Sequence, residues 1–333
     1  MARVGIVGFR GYSGSELVRL LARHPHVETV LLDHRSDAPA APAPLGAKQL
    51  AKASATGESV KAGKIGLIFL ATPAEVSMEL APVMLAAGAR VIDLSGAFRL
   101  GDIATYSRWY RETHTAEGLL AEATYGLPEL CREGIPGARL IANPGCYPTA
   151  ANLALQPLIA SGVIDRSAGI VCDAKSGVSG AGRGPRLDTS FCEVTENFSA
   201  YAVLDHRHVP EILMVSGIAE AELSFTAQLL PIHRGILETI YFRARSVSKA
   251  SDLVDIFAKR YKNEPFVRVY ADAVPNLHGV DRTNFCDLGV RFDPASGRAV
   301  VVSAIDNLVK GAAGQAIQNM NLMLGFPETE ALL

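Results

Sequence analysis

The sequence predicts an α/β protein in two parts: a doubly wound parallel sheet, followed by an α+β unit built on a mixed sheet. Up to about residue 145, short apolar runs of strand length alternate with segments whose apolar residues recur at helical spacing. Beyond that point, longer runs that are apolar or alternate in polarity follow one another, with few helical segments between them. The length of 333 residues also favours two domains over one.

Composition excludes several classes of partner. The formal net charge is -2 and no long basic run occurs, which argues against nucleic acid or an anionic membrane as the main partner. The longest apolar stretches, such as residues 80–87, are too short to span a bilayer, and the first residues lack the layout of a signal peptide. We therefore expect a cytoplasmic protein that acts on a small molecule. The five cysteines form no CxxC pair, so neither a disulfide framework nor a metal site is expected.

The first element is a strand at residues 3–7, followed by a glycine-rich turn and a helix over residues 15–23. The turn has the pattern GxxGxxG, which allows a tight bend and lets backbone N–H groups approach a pyrophosphate at the helix N-terminus. The next strand, at residues 27–32, comes where a βαβ unit needs it. We predict a dinucleotide site here, with a tight structural turn as the alternative. The residues predicted to contact the dinucleotide are Gly8, Gly11, Tyr12, Ser13 and Gly14.

The end of the second strand bears on the choice of dinucleotide. Asp33 alone would suit the ribose 2′-hydroxyl of NAD, whereas Arg35 with Ser36 could hold the 2′-phosphate of NADP. We predict NADP, because Asp33 could instead cap the following turn.

Residues 37–63 are rich in Ala, Pro, Gly and Lys and predict an exposed connection with at most a short helix. Strands at 65–71 and 90–94, with a helix at 74–87 between them, then continue the alternation. Ligands of such sheets bind beyond the carboxyl ends of the strands, so residues just after these strands should lie near the cofactor. The residues predicted there are Thr72, Pro73 and Ser95, the last with the alternative of a turn or N-cap residue.

Cys146 is the candidate nucleophile. A strand at 140–142 brings it to the same edge of the sheet, just before an apolar helix predicted over 149–160. The N–H groups and macrodipole of the helix N-terminus favour an anion, so we expect a thiol pKa below the usual value of about 8.5. A thiolate beside a hydride donor suits reduction of an activated acyl group through a thioester. The alternative is a small buried apolar residue.

The second part contains a glycine and serine loop, residues 175–183, with Lys175 and Arg183 at its ends. Such a loop suits a phosphate, and the alternative is a mobile surface loop. Arg99 could likewise hold a carboxylate or phosphate, unless it is an ordinary solvated arginine. Predicted substrate or phosphate contacts are Arg99, Asn143, Ser179, Gly180 and Arg183, while Ser176 and Gly177 are placed at the cofactor. Strands are predicted at 169–174, 223–231, 236–245, 284–291 and 298–305, and a helix at 249–262.

Two histidines stand two residues apart in an extended segment, His206 and His208, and should point to the same side. Glu211 could orient one of them, which is what a general acid/base needs. The sequence does not distinguish which histidine has this role, and a structural histidine is the alternative. A metal site would need a third ligand at suitable spacing, and none is convincingly placed.

Together these motifs resemble the N-acetyl-gamma-glutamyl-phosphate reductase family over nearly the whole chain. The resemblance implies a Rossmann-type nucleotide-binding domain at residues 1–145 and a catalytic and oligomerisation domain at 146–308, as in glyceraldehyde-3-phosphate and aspartate-semialdehyde dehydrogenases. Residues 309–333 would pack back onto the first domain. The segments that carry the resemblance are 8–14, 93–95, 98–100, 125–129, 143–149, 176–183, 206–211 and 306–316.

The resemblance further implies an NADPH-dependent, cytoplasmic enzyme of arginine biosynthesis that forms a thioester on Cys146 and assembles as a homodimer or homotetramer. Asn307 and Gly311 would contact the cofactor. Because Gly311 has no side chain, it allows close approach of a backbone or of the cofactor. Lys310 is read as surface charge. The family often has Pro-His where this chain has Pro73-Ala74, so any contact made by that histidine is absent.

Two alternatives to this function remain. A sister reductase of lysine biosynthesis acts on a carrier-protein-bound aminoadipyl phosphate, and a basic rim for an acidic carrier would distinguish it. A nucleotide-sensing regulator could keep the fold without the chemistry, but Cys146 and the histidines should then have been lost.

Overall fold

Two seven-stranded sheets organise the protein, and the computed structural model describes residues 1–34 and 50–333 of it. In the first sheet the strand order is β3-β2-β1-β4-β5-β7-β6, and all neighbouring pairs are parallel. The order reverses between β1 and β4, which makes the sheet doubly wound and confirms the predicted fold class. Its strands are β1 (Ala2–Val7), β2 (Val27–Asp33), β3 (Ala51–Ser54), β4 (Leu67–Leu70), β5 (Arg90–Asp93), β6 (Thr124–Tyr125) and β7 (Leu140–Ala142).

The second sheet is mixed, as predicted, with the order β12-β13-β14-β11-β8-β10-β9. β8 runs parallel to β10 and β12 parallel to β13, while β11 and β14 are antiparallel to their neighbours. Its strands are β8 (Ile170–Gly177), β9 (Ser199–Tyr201), β10 (Leu223–Leu230), β11 (Ile236–Arg243), β12 (Val267–Tyr270), β13 (Cys286–Asp293) and β14 (Arg298–Ile305).

The described part of the chain contains eleven α-helices, and none of them is long and apolar enough to cross a membrane. They are α1 (Tyr12–Leu21), α2 (Gly57–Ala62), α3 (Ala74–Ala86), α4 (Ile103–Tyr110), α5 (Glu117–Leu120), α6 (Pro128–Cys131), α7 (Cys146–Ala160), α8 (Phe191–Val194), α9 (Val209–Ser216), α10 (Ala250–Arg260) and α11 (Gly314–Leu324).

Alternation along the first strand explains how helices cover both faces of the first sheet. Val4 and Ile6 of β1 pack with apolar residues of α1 and α11, whereas Val7 packs with those of α2 and α3. Successive side chains of a strand point to opposite faces, so one short strand contributes to two cores. α11, from the end of the chain, thus lies against the first sheet beside α1.

The second sheet is covered on one face only within the described residues. α7, α9 and α10 pack with the inward side chains, such as Cys172 and Ile240. The opposite face carries Val171 and Tyr241, which are 45% and 44% exposed and pair directly across β8 and β11. This outer face therefore carries exposed apolar side chains.

Three elements differ from the prediction. β3 extends the first sheet at residues 51–54, where only a connection was expected. α7 begins at Cys146 rather than at residue 149, since the turn before it passes directly into the helix. The last helical segment begins as a π-helical turn at Val309–Ala313 before it becomes α11.

Candidate active site

The glycine turn after β1 forms a cradle that only glycine can build. Gly8 has a φ of +79°, and a Cβ added there would lie 2.2 Å from the carbonyl oxygen of Ala71. A Cβ on Gly14 would lie 2.3 Å from the carbonyl oxygen of Gly8. Helix α1 begins at Tyr12, followed by Ser13. The N–H groups of its first turn have no partner within the helix, and they lie next to this closely packed glycine turn. These features fit a dinucleotide pyrophosphate.

The residues after β4 and β5 lie at the same edge of the sheet. Thr72 is joined to Ser77 by a hydroxyl–hydroxyl hydrogen bond of 2.8 Å, and Pro73 precedes α3 as its N-cap. The Ser95 hydroxyl donates to Asp93 at 2.7 Å and accepts from the N–H of Ala97 at 3.1 Å. Ser95 thus has the turn role that was its alternative, and its side chain is already used by the protein.

The predicted NADP determinants fall partly outside the structure. Arg35 and Ser36 lie outside the described residues. Asp33 forms an ion pair with Arg10 of the glycine turn, so its carboxylate has a protein partner.

Loop 175–183 divides between two places. Ser179 accepts a hydrogen bond from the Asn307 side chain at 3.0 Å, and a Cβ on Gly180 would lie 2.9 Å from the Ser176 hydroxyl. Arg183 instead donates to the carbonyl oxygen of Arg10 at 2.6 Å and lies over the ring of Tyr12. Arg183 is therefore on the glycine-turn side and not with the other predicted substrate contacts.

Lys175 and Gly177, at the start of the same loop, also have partners within the protein. Lys175 forms an ion pair with Asp173 rather than facing a phosphate. Gly177 ends β8, and its N–H donates to the carbonyl oxygen of Gly235. The Asn307 side chain accepts from the N–H of Gly235 at 2.8 Å, so both ends of its amide are bound.

Cys146 is the first residue of α7, close to the π-helical turn. A Cβ added to Gly311 would lie 2.8 Å from the Cβ of Cys146, so only glycine permits this approach. Burial raises the pKa of the Cys146 thiol to about 11, although Arg99 and the N–H of Tyr147 act in the opposite direction. The prediction of a lowered pKa is wrong, because loss of water around the sulfur outweighs the helix N-terminus.

Arg99 is buried, not solvated, and its guanidinium donors are used by the protein. It donates to the carbonyl oxygens of Asn143 and Leu94, both at 2.8 Å. Nη1 donates to Oε1 of Glu211 at 3.1 Å and to Nε2 of His208 at 3.4 Å. Burial alone would lower the arginine pKa, but Glu211 and nearby groups outweigh it and the net shift is upward. Arg99 is a fixed positive charge beside Cys146.

Glu211 does not orient a histidine as predicted. Its Oε2 accepts from the N–H of Gly145 at 2.9 Å and from the Tyr125 hydroxyl at 3.0 Å, while Oε1 accepts from Arg99. Among the described residues, no hydrogen bond joins Glu211 to His206 or His208. The carboxylate is directed at the start of α7 because it lies in the first turn of α9, which packs against α7.

The two histidines lie together, with ring centroids 4.8 Å apart. Nδ1 of His206 accepts a hydrogen bond from the backbone N–H of His208 at 3.1 Å, and its ring meets Tyr147 edge to face. Burial lowers the pKa of His206 to about 4 and that of His208 well below its usual value. Both rings are therefore neutral at pH 7.

Sequence reasoning missed a buried polar group behind the nucleophile. Lys310 is fully buried, not a surface charge, and donates to Glu129 at 2.5 Å and to Gln318 at 2.8 Å. Burial alone would raise the pKa of Glu129, but the charge and hydrogen bond of Lys310 outweigh burial and the net shift is downward. The carboxylate therefore remains charged. The Asn143 side chain is similarly held, accepting from Asn319 at 3.1 Å. The only sequence signal for the buried ion pair was the presence of Glu129 and Lys310 in the motifs at 125–129 and 306–316.

No group of three or more His, Cys, Asp or Glu residues that could hold a metal ion occurs in residues 1–34 and 50–333.

Comparison with known proteins covers almost the whole chain. A profile described as the NAD binding domain of semialdehyde dehydrogenase matches residues 3–138, and one described as the dimerisation domain matches residues 146–307. Two solved structures resemble the fold. Aspartate semialdehyde dehydrogenase II from Vibrio cholerae has a TM-score of 0.72 and 18% identity, over 97% of this chain and 98% of that one. A probable aspartate-semialdehyde dehydrogenase from Pseudomonas aeruginosa has a TM-score of 0.70 and 21% identity, over the same shares.

Sequence relatives are much closer. The N-acetyl-gamma-glutamyl-phosphate reductase of Symbiobacterium thermophilum is 50% identical over 339 residues, which cover 99% of this chain and 97% of that protein. The protein of the same name from Geobacter metallireducens is 47% identical, over 100% and 98% of the two chains. Identity of this extent includes both sheets, and the chain belongs to the N-acetyl-gamma-glutamyl-phosphate reductase family.

Proposed function

We propose that this protein reduces N-acetyl-gamma-glutamyl phosphate to N-acetylglutamate 5-semialdehyde and phosphate with NADPH, in arginine biosynthesis. One observation carries the proposal. Cys146 begins α7 directly after β7, at the carboxyl edge of the same parallel sheet whose first strand ends in the glycine cradle. A nucleophile and a dinucleotide site share one edge, which is what reduction of an acyl group through a thioester requires.

The chain's own groups account for cofactor binding. The cradle of Gly8, Gly11 and Gly14 and the first turn of α1 fit the pyrophosphate, and Arg35 with Ser36 remains the predicted site of the 2′-phosphate. When bound, the dinucleotide supplies the hydride.

Cys146 forms and releases the acyl group. Its sulfur attacks the acyl carbon, the bond from that carbon to the phosphate oxygen breaks, and the thiol proton leaves with the phosphate. Transfer of hydride to the thioester carbon moves an electron pair onto its oxygen. The oxyanion then re-forms the carbonyl, the carbon–sulfur bond breaks, and Cys146 returns as thiolate. The positive charge of Arg99 and the N–H groups of α7 favour that thiolate while substrate is present.

The remaining predicted contacts divide into two roles. Arg99, Asn143 and Glu211 use their polar atoms on protein partners, so we assign them to holding the turn before Cys146. Ser179 and Gly180, beside Asn307, are the polar wall left for the phosphate.

The charges near α4 favour a free acyl phosphate over a carrier-bound one. Two exposed arginines near α4 are paired with carboxylates, Arg108 with Glu220 and Arg111 with Asp205. Pairing of this kind leaves little net positive field for an acidic carrier protein. We also propose a cytoplasmic location and a homodimer or homotetramer with a subunit contact on the outer face of the second sheet.

The reverse reaction tests this function directly. Phosphate-dependent reduction of NADP with N-acetylglutamate semialdehyde should be catalysed by the wild-type protein, and Cys146→Ser should lower turnover by orders of magnitude while NADPH binding is retained. A hydroxyl stays protonated at neutral pH and is a far weaker nucleophile. Turnover of Cys146→Ser equal to that of wild type would refute the proposed mechanism.

A further inference from the structure

The chain passes between the two sheets at two crossings. The first crossing, residues 143–145, joins β7 of the first sheet to α7, whose first residue is Cys146. Because the side chains of α7 pack in the core of the second sheet, Cys146 belongs to that part of the molecule. The return crossing, residues 306–308, joins β14 to the π-helical turn Val309–Ala313, which packs with α1 in the core of the first sheet. The alignment of the two parts therefore decides how α7 stands against α1, the helix of the proposed dinucleotide site.

Arg234, in the turn between β10 and β11, bridges the return crossing to α1. Its Nη1 donates to Oδ2 of Asp306 at 3.1 Å. Nη1 and Nη2 also lie 3.5 Å from the two carboxylate oxygens of Glu16, which belongs to α1. The three side chains are between 0% and 9% exposed, so water and salt screen their charges much less than those of a surface pair. Glu16, Arg234 and Asp306 thus form a buried ionic link between the two parts, termed the crossing bridge.

Asp306 connects the crossing bridge to the wall behind the nucleophile. Its Oδ1 accepts from the N–H groups of Leu308 and Val309 at 2.8 and 3.1 Å. Its backbone carbonyl oxygen accepts from the N–H of Gly311 at 2.9 Å, and Gly311 is the residue that allows the close approach to Cys146. A shift of Asp306 would therefore be passed on to the π-helical turn and to Cys146.

The turn that carries Arg234 also holds the proposed phosphate wall, but through its main chain. The N–H of Ser179 donates to the carbonyl oxygen of His233 at 3.0 Å. The N–H of Gly235 donates to the side chain of Asn307 at 2.8 Å. Neither hydrogen bond involves the guanidinium of Arg234, so replacing that side chain should leave the phosphate wall in place.

We infer that Arg234 is a positioning residue, whose crossing bridge fixes α1 against α7 so that hydride can reach the acyl group on Cys146. This inference rests on the proposed function and adds to it the alignment of the two parts. The rate of such a transfer is sensitive to alignment, because a misplacement of about 1 Å can cost about a hundredfold. By contrast, the glycine cradle lies in the first part, and Cys146 and Ser179 both lie in the second. Dinucleotide binding and attack on the acyl phosphate should therefore depend little on the bridge.

The crossing bridge can be broken without leaving a buried carboxylate unpartnered. Glu16 keeps Arg19, whose Nε and Nη2 donate to its Oε1 at 3.0 and 2.6 Å. Asp306 keeps three backbone N–H donors, at 2.7, 2.8 and 3.1 Å. Methionine replaces the apolar stem of Arg234 with a flexible apolar chain, so we expect Arg234→Met to fold.

Three quantities measured on Arg234→Met test the alignment. They are the dissociation constant of NADPH from fluorescence titration, the burst of phosphate released from N-acetyl-gamma-glutamyl phosphate without dinucleotide, and the steady-state turnover. We expect the first two to stay within about threefold of wild type and turnover to fall by about tenfold to a hundredfold. Deuterium at the transferred position of NADPH should slow the variant, because hydride transfer then limits its turnover. Wild-type turnover, or an equal loss in all three quantities, would overturn the inference.

A double-variant cycle tests whether Arg234 acts through Glu16. Glu16→Met removes the other end of the crossing bridge, so the double variant should lose no more turnover than the more damaging single variant. Losses that multiply would show that the two side chains act independently, against the inference. The matched control is Arg19→Met, which removes a positive charge from the same carboxylate but within α1. Its turnover should equal that of wild type, and a loss as large as that of Arg234→Met would also overturn the inference.

Failure of the proposed function would appear separately, as undiminished turnover of Cys146→Ser or as wild-type protein that releases no phosphate from the acyl phosphate. Failure of the present inference alone leaves wild type active and Cys146→Ser inactive, and changes only the results for Arg234→Met, Glu16→Met and Arg19→Met.

Discussion

At the scale of single residues, the Cys146 thiol is subject to two opposing influences. The start of α7 and the charge of Arg99 favour the thiolate, while removal from water favours the thiol, and the second effect is the larger. The free protein at pH 7 therefore carries a thiol, which suits an enzyme that must not react with every electrophile it meets. The thiolate is generated when an acyl phosphate arrives to take the proton.

This balance predicts an unusual reaction with alkylating agents. In the absence of ligands, the rate at which iodoacetamide modifies Cys146 should rise about tenfold per pH unit and still be rising at pH 10, because the thiolate is the reacting species and the pKa is about 11. Mass spectrometry of the digested protein measures the rate. The exposed Cys192 in the same digest is the reference. A rate at Cys146 that levels off below pH 9 would contradict the raised pKa.

Sequence alone could place Cys146 but not set its ionisation. The turn formers and the apolar run after them are local signals, and they locate a cysteine at a helix start. The groups that surround the sulfur come from residues 99, 145 and 311. Residues 99 and 311 are distant along the chain, and the propensity of the glycine at 145 says nothing about the ionisation of its neighbour. The same limit explains Glu211, whose partners Arg99 and Tyr125 belong to another part of the chain.

At the scale of elements, the π-helical turn Val309–Ala313 sets the wall behind the nucleophile. Lys310 is held between Glu129 and Gln318, and the N–H groups of Leu308 and Val309 donate to Asp306. The resemblance to the family implies one helix over about residues 309–324. The wider first turn depends on a lysine paired with a glutamate 181 positions away, so no local pattern could reveal it.

The close approach of this turn to Cys146 makes Gly311 sensitive to a single methyl group. Gly311→Ala should lower turnover about tenfold or more, because the added Cβ would lie 2.8 Å from the Cβ of Cys146 and one of the two must move. Steady-state kinetics and thermal unfolding measure the effect. The control is Gly118→Ala in α5, where a Cβ meets nothing within 4 Å and activity should be unchanged. Normal kinetics for Gly311→Ala would show that the contact is relieved without consequence.

At the scale of the whole molecule, the two sheets differ in how they are covered. The first sheet has helices on both faces, and its alternation of strands and helices is a local pattern that the sequence displays well. The second sheet is covered by α7, α9 and α10 on one side. Contacts that join the two parts, such as the ion pair of Arg234 with Glu16 of α1, involve residues far apart in sequence and were not predicted.

The outer face of the second sheet gives a prediction about assembly. Val171 and Tyr241 are neighbours across β8 and β11, and Val300 pairs with Tyr241 on the other side. Wild-type protein should have at least twice the mass of the 35.3 kDa chain in light scattering, and Val171→Arg combined with Tyr241→Arg should reduce it to the single chain. The control is Val83→Arg, an exposed apolar residue on α3. An unchanged mass for the double variant would place the subunit contact elsewhere.

The hydrogen bond from the backbone of His208 to the ring of His206 affects which substitutions position 208 can accept during evolution. Every amino acid except proline supplies a backbone N–H at position 208, so the tautomer of His206 does not depend on which side chain stands there. The same kind of hydrogen bond, from the N–H two residues later to Nδ1, orders the rings of His24 and His114. Because a main-chain group holds the ring of His206, other substitutions at position 208 keep this hydrogen bond. Proline at position 208 is the one substitution there that would remove it, although His206 itself would be unchanged.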